Sequence, residues 1–308
     1  MNFPRVDVLV LSYNGKHLLP DALSSYLAND YPNFRVVVID NGSEDGSSEY
    51  VRRYFPQVHV LRTEINLGYS GGLNRGLEYA FDRDNADYAL VTNNDVVADK
   101  KVISEMVKVA EADDRVGFVT GKVYYQERPD ILQTVGKRQD PIRWNGEHIG
   151  RGEKDRGQYD QISERYFIDD IFTLVRKKLY QETGGYDTTF FLQAEEFDWQ
   201  ARAKKLGYKF MYTPLAQLWH KESMTIGRLS PLKTFYDSRN PMLVVLLHQS
   251  PRFFKRYFWH HFKHSIVRDS MAFLKHGRFS LAAAAWRGFS SGILWGLKNK
   301  KITLEHIL

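Results

Sequence analysis

Through its first 125 residues the chain alternates short apolar runs with amphipathic stretches, and that alternation leaves few architectures open. Residues 6–11, 35–40, 58–62 and 88–92 read as strands, and 117–124 closes the set. Between them, residues 18–28, 47–54, 71–81 and 102–112 carry helical spacing, with Pro20 tolerated in the first turn of its helix. Strands that alternate with helices predict an α/β fold, a mostly parallel sheet flanked by helices. Ligands of open α/β sheets bind beyond the carboxyl ends of the strands. Asp40 and Asp95 both fall there.

Residues 126–165 are polar, charged and rich in Gly, Arg and Gln, which reads as a loop-rich insertion over the site. Order returns with a strand leading to Arg176, a short helix to Glu182 and a break at Gly184-Gly185. A helix over 195–206 ends at Gly207, a C-terminal cap, and strands at 209–212 and 216–220 follow. From about residue 231 the composition changes to a basic, aromatic-rich helical region.

The 308 residues contain no cysteine, which excludes disulfides and thiolate metal sites and fits a reducing compartment. No basic start with a long apolar core precedes residue 6, so no signal peptide is predicted, and no apolar run reaches membrane-spanning length. Residues 251–308 hold eleven Lys or Arg against two acids, a net +9. With +6 overall, the first 250 residues carry −3. Aromatics interleaved with cations over 251–301 suit an anionic membrane surface, and equally a helical pair that packs on the rest of the chain or forms a homodimer. No nucleic-acid recognition motif accompanies them, so no nucleic-acid partner is expected.

Four groups of residues could do chemistry. Asp40, in Asp40-Asn41-Gly42-Ser43, is either a hydrogen-bond acceptor for a nucleobase or ribose, or part of a turn. The glycine-rich run from Asn66 through Gly68 to Asn74 leads into a helix, where backbone N–H groups can meet phosphate, or where the chain simply turns. Asn93-Asn94-Asp95 offers one carboxylate for a hard cation, or an Asx-rich turn. Glu195, Glu196 and Asp198 stand at a helix start, where the helix dipole favours acids and where neighbouring carboxylates push one another's pKa apart. His220 ends an apolar strand and is either structural or a metal ligand.

Seven motifs in one order carry a resemblance. They are Leu11-Ser12-Tyr13-Asn14, Ile39-Asp40-Asn41-Gly42-Ser43, the 66–74 run, Asn93-Asn94-Asp95, Gly184-Gly185-Tyr186-Asp187, Phe190-Phe191-Leu192 with Glu195-Glu196-Phe197-Asp198, and Trp219-His220. Together they resemble the inverting glycosyltransferases of family 2, with the GT-A fold, and among these the bacterial rhamnosyltransferase-like branch.

The resemblance implies a catalytic domain over 1–230, with a nucleotide-binding half (1–125), the insertion, and an acceptor half (166–230), followed by a C-terminal region (231–308). It implies a UDP- or dTDP-sugar donor held by Ser12, Tyr13, Asn14, Asp40, Asn66, Gly68, Asn74, Asn93 and Asn94, and Mg²⁺ or Mn²⁺ held by Asp95 and His220. Glu196 would be the general base, with Glu195 and Asp198 orienting it or holding sugar hydroxyls. The acceptor would be a glycan or lipid-linked glycan, and the location cytoplasmic, peripheral on the inner face of the cell membrane.

The chain departs from the family pattern at Asn93 and Glu196, where relatives carry Asp, and at Asp169 and Asp170, where they carry small residues. The departures at 169 and 170 either reshape the acceptor pocket or form a solvated pair. Two rival readings remain at this stage, a nucleotidyltransferase and a non-catalytic sugar-nucleotide-binding scaffold.

Overall fold

The computed structural model describes residues 3–221, 229–299 and 301–302; of the predicted basic tail, Lys300 lies outside the described residues. Strands β1 (Val6–Ser12), β2 (Phe34–Asp40), β3 (His59–Arg62) and β4 (Tyr88–Asn93) run parallel. They are linked by helices α1 (Leu19–Leu27), α2 (Ser47–Tyr54) and α3 (Gly68–Glu78), the last prolonged by a π turn over Tyr79–Arg83. Both faces of these strands are apolar because helices cover both. Leu9, Val37 and Ile39 join Leu73 and Leu77 in one core, while Val8, Val10, Val36 and Val38 join Leu19 and Leu23 in a second.

Short β5 (Val96–Ala98) and helix α4 (Val102–Glu111) lead to the long β6 (Val116–Tyr125). Segment 126–165, expected as loop, instead carries β7 (Arg128–Thr134), the hairpin β8 (Lys137–Asp140) and β9 (Trp144–His148), and a two-residue β10 (Ser163–Glu164). Polarity concealed these strands. The hairpin joins surface pairs such as Arg138–Glu147 at 2.6 Å to a single buried anchor, Trp144, and shows no apolar alternation.

The chain continues through β11 (Phe172–Arg176), α5 (Lys177–Thr183), α6 (Glu195–Lys205) and β12 (Lys209–His220). The main sheet runs β10-β12-β6-β11-β4-β1-β2-β3, with β5 also on β12 and β7 also on β6. β11 is antiparallel to both its neighbours, so the sheet is largely rather than wholly parallel. The two strands expected at 209–212 and 216–220 form one strand with an irregularity. Tyr212 pairs with Thr120 and Gln217 with Lys122, so β12 advances five residues while β6 advances two.

Helices α7 (Pro231–His248), α8 (Pro251–His261), α9 (Asp269–Lys275) and α10 (Phe279–Lys298) complete the chain, with a π segment over Phe262–Arg268. Ser230 and Ser250 cap α7 and α8, each followed by Pro at the first helical position. Met242, Leu243, Phe254, Phe258 and Phe289 belong to the same apolar cluster as Phe167, Phe197 and Trp199. The C-terminal helices therefore share a core with the sheet.

One core residue carries a pH signature. Asp7 on β1 is fully buried, and its oxygens find no hydrogen-bond partner among the described residues. Burial, with the nearby Asp84 charge, pushes its pKa up to about 7. An unfolded carboxyl titrates near ~3.9. Folding thus takes up a proton between those values, and stability falls as pH rises through that window and stays low above it. Asp7→Asn should raise the melting temperature by several degrees at about pH 8 and leave it unchanged near pH 4. Thermal melts at the two pH values check this, and an equal shift at both would contradict it.

Candidate active site

After β1 the chain winds outward through β2 and β3, then returns to the other side of β1 at β4. Such a reversal leaves a crevice beyond the strand ends. The register places the three carboxyl ends level, with Ser12 opposite Asp40 and Leu11 opposite Asn93. Ser12 Oγ accepts a 3.0 Å hydrogen bond from Asn94, joining the ends of β1 and β4. A cleft of about 530 Å³ opens there, bordered by Tyr13, Asn66, Gly68, Asn93, Asn94, Asp95 and His220 on one side and by Asp170, Glu195 and Glu196 on the other.

His220 Nε2 lies 3.1 Å from Asp95 Oδ1, and both residues are buried. Its Nδ1 sits 2.9 Å from Gln133 Oε1 on β7, which only accepts. Where Nδ1 donates to that acceptor, the Nε2 of a ring carrying a single proton faces the carboxylate oxygen as a lone pair. Two electron-pair donors so close favour a cation, and an imidazole–carboxylate set fits Mn²⁺ or Mg²⁺. Among the described residues no third acid or histidine completes a cluster, so phosphate oxygens and water would supply the remaining ligands.

The opposite wall depends on a strained turn. Gln193 and Ala194, immediately before α6, have φ of 70° and 68°, a conformation that costs side-chain-bearing residues energy. Asn240 on α7 holds the turn, donating to Leu192 O at 2.6 Å and Gln193 O at 2.9 Å. Gln200 on α6 pairs with both backbone groups of Ile168, which sets Asp169 and Asp170 beside the start of α6.

Asp169 turns to the hairpin, with Lys137 at 3.0 Å and His148 at 3.3 Å holding its carboxyl well below the usual range despite its burial. Asp170 accepts from the Tyr186 hydroxyl at 2.5 Å, and burial with the Asp169 charge raises it to about 7. Burial, with the charge of Asp170, raises Glu196 to about 8. Glu195 is pushed up by burial and by Glu196, and its Oε2 is buried without a hydrogen-bond partner among the described residues.

Other sequence-predicted residues stand behind the cleft. Asp40 is fully buried, with its oxygens bonded to Ser43 N at 2.9 Å and to the Ser48 hydroxyl, and Arg62 at 3.6 Å. Its carboxylate thus closes the 40–48 turn. Asn14 is bonded to Ser43 and Glu44, and Asn74 to both backbone groups of Tyr186. Asp198 lies between His248 at 2.7 Å and Arg202 at 2.9 Å, tying α6 to α7.

In the 66–74 run, Asn66 and Gly68 line the cleft while the backbone is held in a turn. The amides of Leu67, Gly68 and Tyr69 are bonded to Asn41, Asn66 and Phe191. Gly68 has φ +75°, and a Cβ there would collide with Phe191. The glycine is needed for that close approach, and these three N–H groups already have acceptors.

Sequence reasoning missed Gln133 and Tyr69. Gln133 lay in a segment read as loop, and Tyr69, whose hydroxyl donates to Asp170 O at 3.0 Å, stood inside a run read for its glycines. A second, wider hollow of about 940 Å³, lined by Lys122, Tyr124, Gln217 and Trp219, lies on the other side of β12. Lys122 there is neutralised by Asp155 and Asp160, and the hollow gathers none of the predicted site residues.

The sheet order and the crevice define a GT-A fold, and solved structures agree. Over 96% of this chain and 92% of that one, the structure of Staphylococcus aureus TarS 1–349 in complex with UDP superposes with a TM-score of 0.57 at 14% identity. The mannosyltransferase PcManGT of Pyrobaculum calidifontis, in complex with GDP-Man and Mn²⁺, superposes with a TM-score of 0.56 at 18% identity, covering 98% of this chain and 83% of that one. Residues 7–184, more than half of the chain, match the family described as Glycosyl transferase family 2, and the chain belongs to it. It is also 26% identical over 228 residues to the poly-beta-1,6-N-acetyl-D-glucosamine synthase of S. aureus strain COL, a match over 73% of this chain. The chain spans about half the length of that relative, 52%.

Gln133→Leu removes the group that orients His220 while keeping its bulk. Mn²⁺ affinity, measured by calorimetry in the presence of nucleoside diphosphate, should fall about 10- to 100-fold with little change in melting temperature.

Proposed function

We propose that this chain transfers a sugar from a UDP- or dTDP-linked donor, dTDP-rhamnose being one to test, to a hydroxyl of a bacterial surface glycan, with inversion at the anomeric carbon. The carrying observation is a single cleft at the sheet's reversal point that has the Asp95–His220 pair on one side and the raised Glu196 carboxyl on the other. The curated relative and TarS, whose structure holds UDP, add support for the donor and acceptor classes.

Tyr13, Asn66 and Asn93 border the donor side of the cleft, and Asp95 and His220 face the diphosphate. A cation bound by that pair would offset the charge that develops on the departing nucleoside diphosphate. Ionised Glu196 takes the proton from the acceptor hydroxyl. The freed oxygen forms a bond to the anomeric carbon from the side opposite the diphosphate, whose C–O bond breaks. Burial, then the charges of Asp170 and Asp169, strengthen the base by raising its proton affinity.

Glu196→Gln should lower kcat about 10²- to 10⁴-fold while a nucleoside diphosphate still raises the melting temperature as in the native chain. Near-native turnover would remove the base assignment. The base must be ionised to act, so kcat should rise with pH through a midpoint near about 8. Asp170→Asn removes a like charge, which lowers the Glu196 pKa and moves that limb to lower pH. A pH–rate profile of the two proteins reads the sign. A thermal-shift panel of UDP, dTDP, GDP and CMP sugars with and without Mn²⁺ identifies the nucleotide.

A further inference from the structure

Helix α10 distributes its residues against the usual rule for a surface helix. The face packed on α7 carries Gly288, Gly292 and Gly296, one per turn and all buried. A Cβ at Gly288 would strike the backbone of Phe235, and one at Gly292 the side chain of Met242. The small residues let the two helices approach closely. The opposite face, at positions 279, 283, 286, 290, 294 and 297, is exposed and holds Phe, Ala, Trp, Ser, Leu and Leu. Phe279 is 68% exposed, Leu294 65%, Leu297 53% and Trp286 43%, and Met271 on the neighbouring α9 is 65% exposed. A soluble helix directs its large apolar groups inward, and a contiguous exposed row marks a contact surface.

Charge indicates what that surface meets. Residues 270–299 contain Lys275, Arg278, Arg287 and Lys298 and no acid. All four cations are exposed. A second copy docking through the same stripe would bring two sets of cations together, and Asp269 at the start of α9 is already engaged by Arg268 at 3.0 Å. A leaflet with anionic headgroups offers hydrocarbon for the stripe and phosphate for its flanks. Among the described residues no helix is long and apolar enough to cross a membrane.

We propose that the outer face of α9 and α10 seats this chain on an anionic lipid surface, with α10 lying along the interface. Phe279, Trp286, Leu294 and Leu297 enter the acyl boundary, and Arg278, Arg287 and Lys298 meet the headgroups. This holds whatever reaction the cleft performs.

The test is co-sedimentation of the full chain with vesicles of phosphatidylcholine, alone or mixed with phosphatidylglycerol. The native chain should bind the mixed vesicles, less so as salt rises. The double variant Trp286→Ser, Leu294→Ser should bind at least about tenfold more weakly with an unchanged melting temperature. Arg287→Gln with Lys298→Gln should lose the preference for anionic vesicles. Absence of binding to mixed vesicles, or full binding by the apolar double variant, overturns the proposal. So does a dimer in light scattering that the same double variant dissociates, since the stripe would then be a subunit contact.

Discussion

Asn240 donates both amide hydrogens to the carbonyls of Leu192 and Gln193, and the geometry of the acidic wall follows from those two bonds. The turn they hold contains consecutive left-handed residues, each costing roughly 1–3 kcal/mol. Relaxation of that turn would swing the first turn of α6 and remove Glu195 and Glu196 from the cleft. A second tie, from His248 through Asp198 to Arg202, fixes the same helix to α7 and to the carbonyl of Gly185. Residues after 231, which the sequence marked off by composition, are thus part of the frame that aims the acids.

The acids in turn oppose one another. Asp170, Glu195 and Glu196 share one wall, and the nearby cations Lys137 and His148 are engaged by Asp169. Burial first, and that crowding second, raises the proton affinity of all three. Across the cleft, Asp95 and His220 present a carboxylate and an imidazole nitrogen 3.1 Å apart. Once these raised acids ionise, the cleft is electronegative on both sides, a surrounding in which a hydroxyl proton or a cation is stabilised and a bare diphosphate is not.

The α/β alternation, the strand ends and the order of motifs were legible because apolar periodicity and turn residues are local signals. Asp95, His220 and Glu196 were singled out by the ordered motifs that resemble the family, and they stand around one cleft. Asp40 was legible as a residue at a strand end, but not in its orientation. Ser48, eight positions later, takes its second oxygen, and spacing alone does not show which way a carboxylate faces. Gln133 was invisible because a polar strand resembles a loop until its partner is known. The roles of Asp169 and Asp170 depended on Lys137, His148 and Tyr186, each supplied by a different part of the chain.

Along β12, Trp219 and His220 point to opposite sides of the sheet, toward the open hollow and toward the cleft. Which of them reaches which side is set upstream, where the strand gains three residues on its partner between Tyr212 and Gln217. Side chains alternate with a period of two, so an odd gain reverses their facing relative to β6. The excursion Thr213-Pro214-Leu215-Ala216 therefore acts as a parity counter: adding or removing one residue would exchange imidazole for indole at the cation position.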